Sequence, residues 1–582
     1  MLEKTNIFAN QQIFRNATFD FLINEDGGEI DGNIEFFDCI FNSAVSIENL
    51  KVKGKFRFSG CTFNHYCILK NVECTILFNL NGGHINDCFN IHSCKSPNLD
   101  LSFLNGNKSF INGDFESINI SHNTLNEIIL KDINTHHSYL NSVVEIRNNN
   151  IKKIEIKSSN LCSSLKFVTG NYDTIILEGG FKENLIFEED IKIDYLFFES
   201  STFEKRIDIK DGNYKYINLY RSLFKGLFMI QDYDILENST NSLQIENLSI
   251  HANHFEKDIT VSFSKNIRYS ISDNNFPYSL YIKGYKTESD IGVDFNMSGI
   301  NYGNVVVENI KGNIDLRCIN FGTISFNEID TNYITLVEFQ NYGKLSFFNV
   351  SPSRKKVGYI VIQDSKLGET EFLNTDFEKF GEIVIANSNI SNIILHKYFF
   401  NVVSYNKNKM IGYGIKNKKE NFSNLKNVYN QLKKSALNKG EIDSASKYQS
   451  LEYLNLSKSR KFGADKLLLF LNHISNKNGY SWGRGIFFTL IISILSFCIY
   501  TLLNEKENYL YSQQYLDNTL QELKKLDLWN KFIKFFTSFP KLTLDEYKKD
   551  SWEINLWVWL ARVFIGYGIY QTIAAFRKYG KS

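Results

Sequence analysis

The sequence predicts an all-β solenoid, a right-handed parallel β-helix with 21–22 residues per coil, followed by an α-helical hairpin and two transmembrane helices. Three observations carry this reading. Phe14 and Phe19, five residues apart, return as Phe36 and Phe41 and again as Phe58 and Phe63, a period of 22 residues. A fixed period near 20 residues marks a solenoid, in which each unit buries its apolar face against its neighbours. No helical periodicity of useful length appears before residue 420, and Gly485 to Leu503 is a run of 19 uncharged residues.

Residues 1–400 carry the repeat. Weaker copies of the pair are Phe198 with Phe203 followed by Leu219 with Phe224, Ile250 with Phe255 followed by Ile271 with Phe276, and Phe295 with Ile300 followed by Leu316 with Phe321, each at a step of 21. Phe372 with Phe377 is a late copy. Between the pairs lie short β-branched and aromatic runs, such as Tyr172 with Thr174 to Leu177, Val305 to Val307 and Ile383 to Ile385. Bounded by Asn, Asp, Gly and Ser, such runs read as strands. At this period 400 residues give about 18 coils. The anchors then stack as interior ladders, and asparagine suits the corners because it tolerates left-handed backbone. Only four prolines occur, which suits a body whose residues pair with coils above and below.

With 65 basic residues against 64 acidic ones, the chain offers no general electrostatic attraction for nucleic acid, and none is expected as a partner. Met1-Leu-Glu-Lys-Thr-Asn has no apolar run of the kind a secretory leader needs, so the β-helix is expected in the cytoplasm. The nine cysteines form no Cys-x-x-Cys pair, and free buried thiols are expected.

Past residue 400 the pattern changes. Residues 401–424 read as a polar linker, and 425–484 as a helical hairpin with a basic juxtamembrane segment. Leu425, Val428, Tyr429, Leu432 and Ala436 recur at helical spacing, Asn438-Lys-Gly440 breaks the run, and Asp443 is placed as the cap of a second helix. Gly485–Leu503 spans about 28 Å as a helix, near the thickness of bilayer hydrocarbon. Residues 504–553 read as a loop holding an amphipathic helix with Leu528, Trp529, Phe532, Phe535, Phe536 and Phe539 in its apolar stripe. That stripe fits the membrane interface or a cap over the spans. Ile554–Phe576 is the second span, and 577–582 is a basic tail. Six basic residues precede the first span and three lie in the tail, which places both ends in the cytoplasm, although eight lysines in the loop oppose this.

Phe58-Ser-Gly-Cys-Thr-Phe63-Asn64 resembles the loosely repeating coils of bacterial pentapeptide-repeat proteins, with a slightly longer period. Asn427 to Lys434, Gly440-Glu and Tyr448 to Tyr453 resemble the helical segment of bacterial β-helix or pentapeptide-repeat membrane proteins, and Ile565 to Gly580 resembles their terminal span. The resemblance implies a membrane protein, in some relatives with a two-helix channel-like module, and little chemistry.

Candidate sites are few. Arg562 is the one charge inside a span, expected either to snorkel or to act within the membrane, with Gln571 and Thr572 as polar companions. Gly566-Tyr567-Gly568 has the glycines of a potassium filter but lacks its lead-in, so close helix packing is the better account. His84, Cys88, His92 and Cys94 match no zinc spacing, and no metal or cofactor is expected. Glu188-Glu-Asp190 and Asp232-Tyr-Asp234 are carboxylate clusters of the kind a glycan-cleaving β-helix uses, though acids on turns are usually solvated. The function expected is a non-enzymatic, membrane-anchored recognition or assembly platform at the bacterial inner membrane. Its expected partners are the lipid bilayer, other copies of itself through the spans, and an unidentified protein on the β-helix. The alternatives are an oligomeric channel-like effector and a carbohydrate-processing enzyme.

Overall fold

The computed structural model describes residue 8 and residues 12–134, 143–188, 190–210, 212–231, 243–263, 268–272, 279–284, 294–352, 358–375, 377–395, 417–505, 529–530, 532–533, 536 and 552–577. The chain forms a parallel β-solenoid of about 15 turns followed by a helical region in which five helices are described end to end. It divides into two compact units, Met1–Val384 with Ile393–Asn401, and Ile385–Asn392 with Val402–Ser582.

In the solenoid the described strands pair in parallel with equivalent strands of neighbouring coils, and the phenylalanine pair sets the register. Phe14 lies opposite Phe36 and Phe36 opposite Phe58, while Phe19 lies opposite Phe41 and Phe41 opposite Phe63. Parallel pairing puts like residues one strand spacing apart, close to 4.8 Å. The rings follow that spacing: Phe14–Phe36 and Phe36–Phe58 stack at 4.8 Å, Phe19–Phe41 at 4.9 Å and Phe41–Phe63 at 4.7 Å. Within a coil the two columns meet edge to face, Phe36 and Phe41 at 5.5 Å. Stacked contacts along the axis and edge contacts across it are the two favoured arrangements of aromatic rings. Further columns run Phe181–Phe203–Phe224–Phe255 and Phe326–Phe347–Phe372.

The period is less regular than the first three copies imply. Phe198 and Phe203 do face Leu219 and Phe224 at a step of 21, and Ile250 faces Ile271, while Phe276 lies outside the described residues. Phe295, however, faces Ile314, and Leu316 faces Met297, a step of 19. The expected pair Ile300 and Phe321 is therefore not an interior one, and both side chains are exposed. Elsewhere the step widens, to 26 between Thr124 and Asn150 and to 31 between Leu219 and Ile250.

The corners have their own chemistry. Columns of left-handed residues recur once per coil, as in Asn16, Asp38, Gly60 and Gly82. Asparagine is common there, as expected, but Arg221, Ala252 and Thr169 adopt the same conformation, a strain the stacked neighbours must hold. The residue after such a corner is often a buried small polar one. Ser222 Oγ accepts from the Ser201 amide at 3.2 Å, and Asn253 Oδ1 from the Ser222 amide at 2.9 Å. Side chains thus satisfy amides that the ladder leaves open at the bend. Cys61 and Cys94 occupy this same position after Gly60 and Ser93, their thiols donating to the carbonyls of Phe36 and Leu69. Burial pushes both thiols up to about 12. None of the nine cysteines is in a disulfide, and seven are buried, as expected.

One tripeptide recurs three times at a corner: Asn301-Tyr-Gly303, Asn320-Phe-Gly322 and Asn341-Tyr-Gly343. The asparagines are buried and form an internal ladder. Asn301 Nδ2 donates to Asn320 Oδ1 and Asn320 Nδ2 to Asn341 Oδ1, both at 2.7 Å. The aromatic residues form an external stack, Tyr302–Phe321 at 5.4 Å and Phe321–Tyr342 at 5.3 Å. The glycines permit the approach: a Cβ on Gly322 would sit 1.9 Å from the Gly303 carbonyl oxygen.

In the second unit, α1 (Lys418–Asn438) and α2 (Ile442–Ser459) form the expected hairpin, with Leu425, Val428, Tyr429, Leu432 and Ala436 buried. Asn417 caps α1, accepting from the Glu420 amide at 2.9 Å, and Gly440 turns the chain at φ +77°. Asp443 does not cap the second helix. That helix begins earlier, at Ile442, so Asp443 stands in its first turn and pairs with Lys447 at 3.3 Å. Asn424 and Gln431 of α1 bond the backbone of the segment Ile385–Asn392. Three more helices follow: α3 (Ala464–Asn476), α4 (Trp482–Glu505) and α5 (Trp552–Phe576). The segment read as juxtamembrane is thus largely the helix α3.

Candidate functional site

The residues singled out by the sequence converge on the packing of α3, α4 and α5. Trp557, early in α5, donates its Nε1–H to the Ser496 carbonyl late in α4 at 3.0 Å. At the other end, a Cβ on Gly485 would stand 2.6 Å from Thr572 Oγ1. The two helices therefore run antiparallel. Between these points Gly568 meets Thr489 so closely that a Cβ would lie 2.5 Å from its hydroxyl. The hydroxyls of Thr489, Ser493 and Thr572 fold back onto their own helices, donating to the Gly485, Thr489 and Gly568 carbonyls at 2.8, 2.7 and 2.9 Å. Small and self-satisfied residues stand at the points of closest approach, the arrangement that lets helix backbones come together, and Ile554, Val558 and Ile565 are buried along α5. Gly566 is half-buried, and Gly568 within the seam is buried.

The outward faces are the apolar ones. Phe487, Leu490, Ile494 and Leu495 of α4 are exposed, as are Leu556, Val563, Phe564 and Ile573 of α5. Trp552, Trp559 and Tyr570 are exposed at or near the ends of α5. Among the described residues one helix stretch, Trp482–Thr501, is long and apolar enough to cross a membrane. The second expected span forms as the helix α5, of 25 residues, but Glu553, Arg562 and Gln571 dilute its apolar character. Arg562 is half-buried. Most of the loop 504–553 lies outside the described residues; Phe532 within it packs its ring on Phe497 of α4 at 5.4 Å.

Gln571 is the centre of a buried polar cluster that the sequence did not disclose. Asn476 Nδ2 donates to Gln571 Oε1 at 2.7 Å and to its main-chain carbonyl at 3.0 Å. Gln571 Nε2 donates to Asn472 Oδ1 at 2.7 Å, and the Tyr567 hydroxyl donates to the same oxygen. Asn476 Oδ1 accepts from the Gly479 amide at 2.6 Å, and Asn478 Nδ2 donates to the Ser450 carbonyl of α2 at 3.2 Å. The network ties α2, the turn after α3 and α5 together. His473 borders it; burial and the charges of Arg484, Lys477 and Lys458 hold its imidazole below the usual value. The cluster itself is built of amides and a phenol, groups that fix geometry by hydrogen bonding. The only signal in the sequence was Asn472 and Asn476 at helical spacing, one turn apart.

On the solenoid the other candidates stay apart. His84 is exposed, the ring of His92 lies tilted against Phe110 at 4.8 Å, and Cys94 is buried in its corner; no group of metal-binding residues forms among the described residues. Glu188 pairs with Lys166 at 2.8 Å and Asp190 holds a left-handed corner, whereas Glu189 and Asp232-Tyr-Asp234 lie outside the described residues. A row of charges crosses successive coils: Lys108–Glu127–Lys153–Glu155–Lys157–Glu178, at 2.8, 3.1, 3.1, 2.7 and 3.2 Å. Burial alone would raise Glu127 and Glu155, but the lysine hydrogen bonds outweigh it and hold both below the ordinary carboxylate value.

Comparison with protein-family models, curated proteins and solved structures returns no match. What the chain does must be argued from its own geometry.

Proposed function

We propose that this protein is a membrane-anchored, non-enzymatic platform at the bacterial inner membrane, whose solenoid recognises or assembles other proteins. One observation carries the reading: the pair α4 and α5 turns a broad apolar surface outward. Its hydroxyls and glycines are buried together with Phe497, Ile554, Val558 and Ile565, while large apolar side chains such as Phe487, Leu495, Leu556 and Val563 are exposed. In water that arrangement would leave a broad apolar surface wet, whereas hydrocarbon is its natural solvent. Both helices then span the bilayer, the 25 residues of α5 giving about 37 Å. Trp552 and Trp559 lie at one interface and Arg577 beyond the other end. The basic residues before α4 and after α5 set both ends in the cytoplasm. For the solenoid, a rigid stack with in-register outer faces offers a long recognition surface, the usual use of such bodies.

Reporter fusions to the full chain at the N-terminus and at residue 520 test the topology. Cytoplasmic activity at the first site and periplasmic activity at the second are expected; a periplasmic N-terminus would overturn the orientation. Resistance of the membrane-bound protein to alkaline carbonate is expected, and quantitative release would overturn the anchoring.

A further inference from the structure

We infer that α3 is a lipid-reading helix, lying in the membrane interface and binding anionic phospholipid headgroups. The inference rests on the membrane reading above and adds a ligand class to it. The helix is amphipathic in the inverted sense. Asn472 and Asn476, on one side, are taken up by Gln571 and Tyr567 of α5. The opposite side carries Leu467, Phe470 and Ile474, at i, i+3 and i+7, which are 53, 53 and 43% exposed. Leu468, one turn before Asn472, is 56% exposed as well, and Phe462, just ahead of the helix, is 90% exposed.

A helix whose polar side chains bond the protein and whose apolar side faces out needs an apolar environment on that side. The adjoining chain says which one. Six residues after its end begins α4, the helix stretch apolar enough to cross a membrane, so the exposed face lies at the mouth of a span. Residues 456–485 contain Lys458, Arg460, Lys461, Lys466, Lys477 and Arg484 against a single acid, Asp465, which is already paired with Arg460. A protein groove would be satisfied by the apolar side alone. A surplus of cations beside it fits a surface that is apolar below and negative above, which is an anionic leaflet.

The test uses the full chain reconstituted in vesicles of phosphatidylcholine with or without 30% phosphatidylglycerol. An encoded environment-sensitive fluorophore replaces Phe470, and brominated acyl chains serve as quenchers. Strong quenching is expected with phosphatidylglycerol and weaker quenching without it. The variant Lys461→Gln, Lys466→Gln, Lys477→Gln should lose most of the gain in quenching that phosphatidylglycerol brings, since each cation removed weakens the pull of the anionic surface about fivefold. Loss of quenching in a protein that still resists carbonate would overturn the inference and leave the anchoring reading intact. Release by carbonate would overturn both. Quenching that is equal with and without phosphatidylglycerol would overturn the role of the anionic headgroup.

Discussion

Replacing Phe36 by alanine should open the solenoid locally. Phe36 is 1% exposed and sits between Phe14 and Phe58 at 4.8 Å on either side, with the edges of Phe41 and Phe19 at 5.5 and 6.1 Å. A buried Phe→Ala change costs about 3–5 kcal/mol, and two lost ring stacks place this one toward the upper end. In a solenoid each coil touches only its neighbours, so the loss falls on the coils that hold Phe14, Phe36 and Phe58. At tenfold per 1.4 kcal/mol, amide exchange in Ile13–Arg15, Ile34–Phe37 and Lys55–Phe63 should quicken by roughly three orders of magnitude. Amides in Lys344–Phe348 and Glu369–Leu373 should keep their rates. Phe36→Leu should cost less than about 1.5 kcal/mol, because Leu80 already fills this column one coil beyond Phe58. Hydrogen exchange read by mass spectrometry on the full chain supplies the numbers. An equal rise in exchange along the whole solenoid, or none at all, would refute the nearest-neighbour reasoning.

Three further outcomes are expected. Asn320→Ala should lower solenoid stability by about 1–3 kcal/mol in thermal melts, since it strips Asn341 Oδ1 of its donor and Asn301 Nδ2 of an acceptor inside the core. Gly568→Val should lower the melting temperature of the detergent-solubilised chain, because its first carbon already falls 2.5 Å from Thr489 Oγ1; an unchanged melt would mean that the α4–α5 seam is not as close as described. The charge row gives a pH dependence. Glu127 and Glu155 have folded values below their unfolded ones, so their stabilisation is present above about pH 4.5 and is lost as pH falls through the folded values. Glu127→Gln should flatten that acid limb in an unfolding titration and leave the neutral region little changed.

Much of the fold was legible because a solenoid writes its geometry into its sequence. Parallel pairing maps a constant step onto a constant ring spacing, so Phe14, Phe36 and Phe58 disclose both period and core. The reading slipped where the step changed. Nothing in Phe295 or Leu316 says that one coil holds 19 residues, and an equal spacing elsewhere placed Phe321 inside when Gly322 and Asn320 turn it out. The tripeptides at 301, 320 and 341 were a better signal than the aromatic residues alone, because asparagine and glycine are each demanded by the bend. In the helical unit, α3 was hidden by its own inversion. Leu467, Leu468, Leu469, Phe470 and Leu471 read as a bare apolar run, and the two asparagines that orient it acquire meaning only beside Gln571, some 95 residues later.

The asparagine ladders give the solenoid a direction as well as a spacing. On the outside, Asn86 donates to Asn64, Asn64 to Asn42, and Asn42 to Asp20; nearby, Asn71 donates to Asn49 and Asn49 to Asp26. Every amide hands its hydrogen toward the N-terminus, and both chains close on a carboxylate, which only accepts. The inner ladder runs the other way and closes on the Leu367 carbonyl. A coil duplicated or deleted between Asp20 and Asn86 therefore keeps this outer ladder continuous, whereas Asp20 has no hydrogen to hand to a coil ahead of it. For this ladder, length is adjustable from within and ends at Asp20.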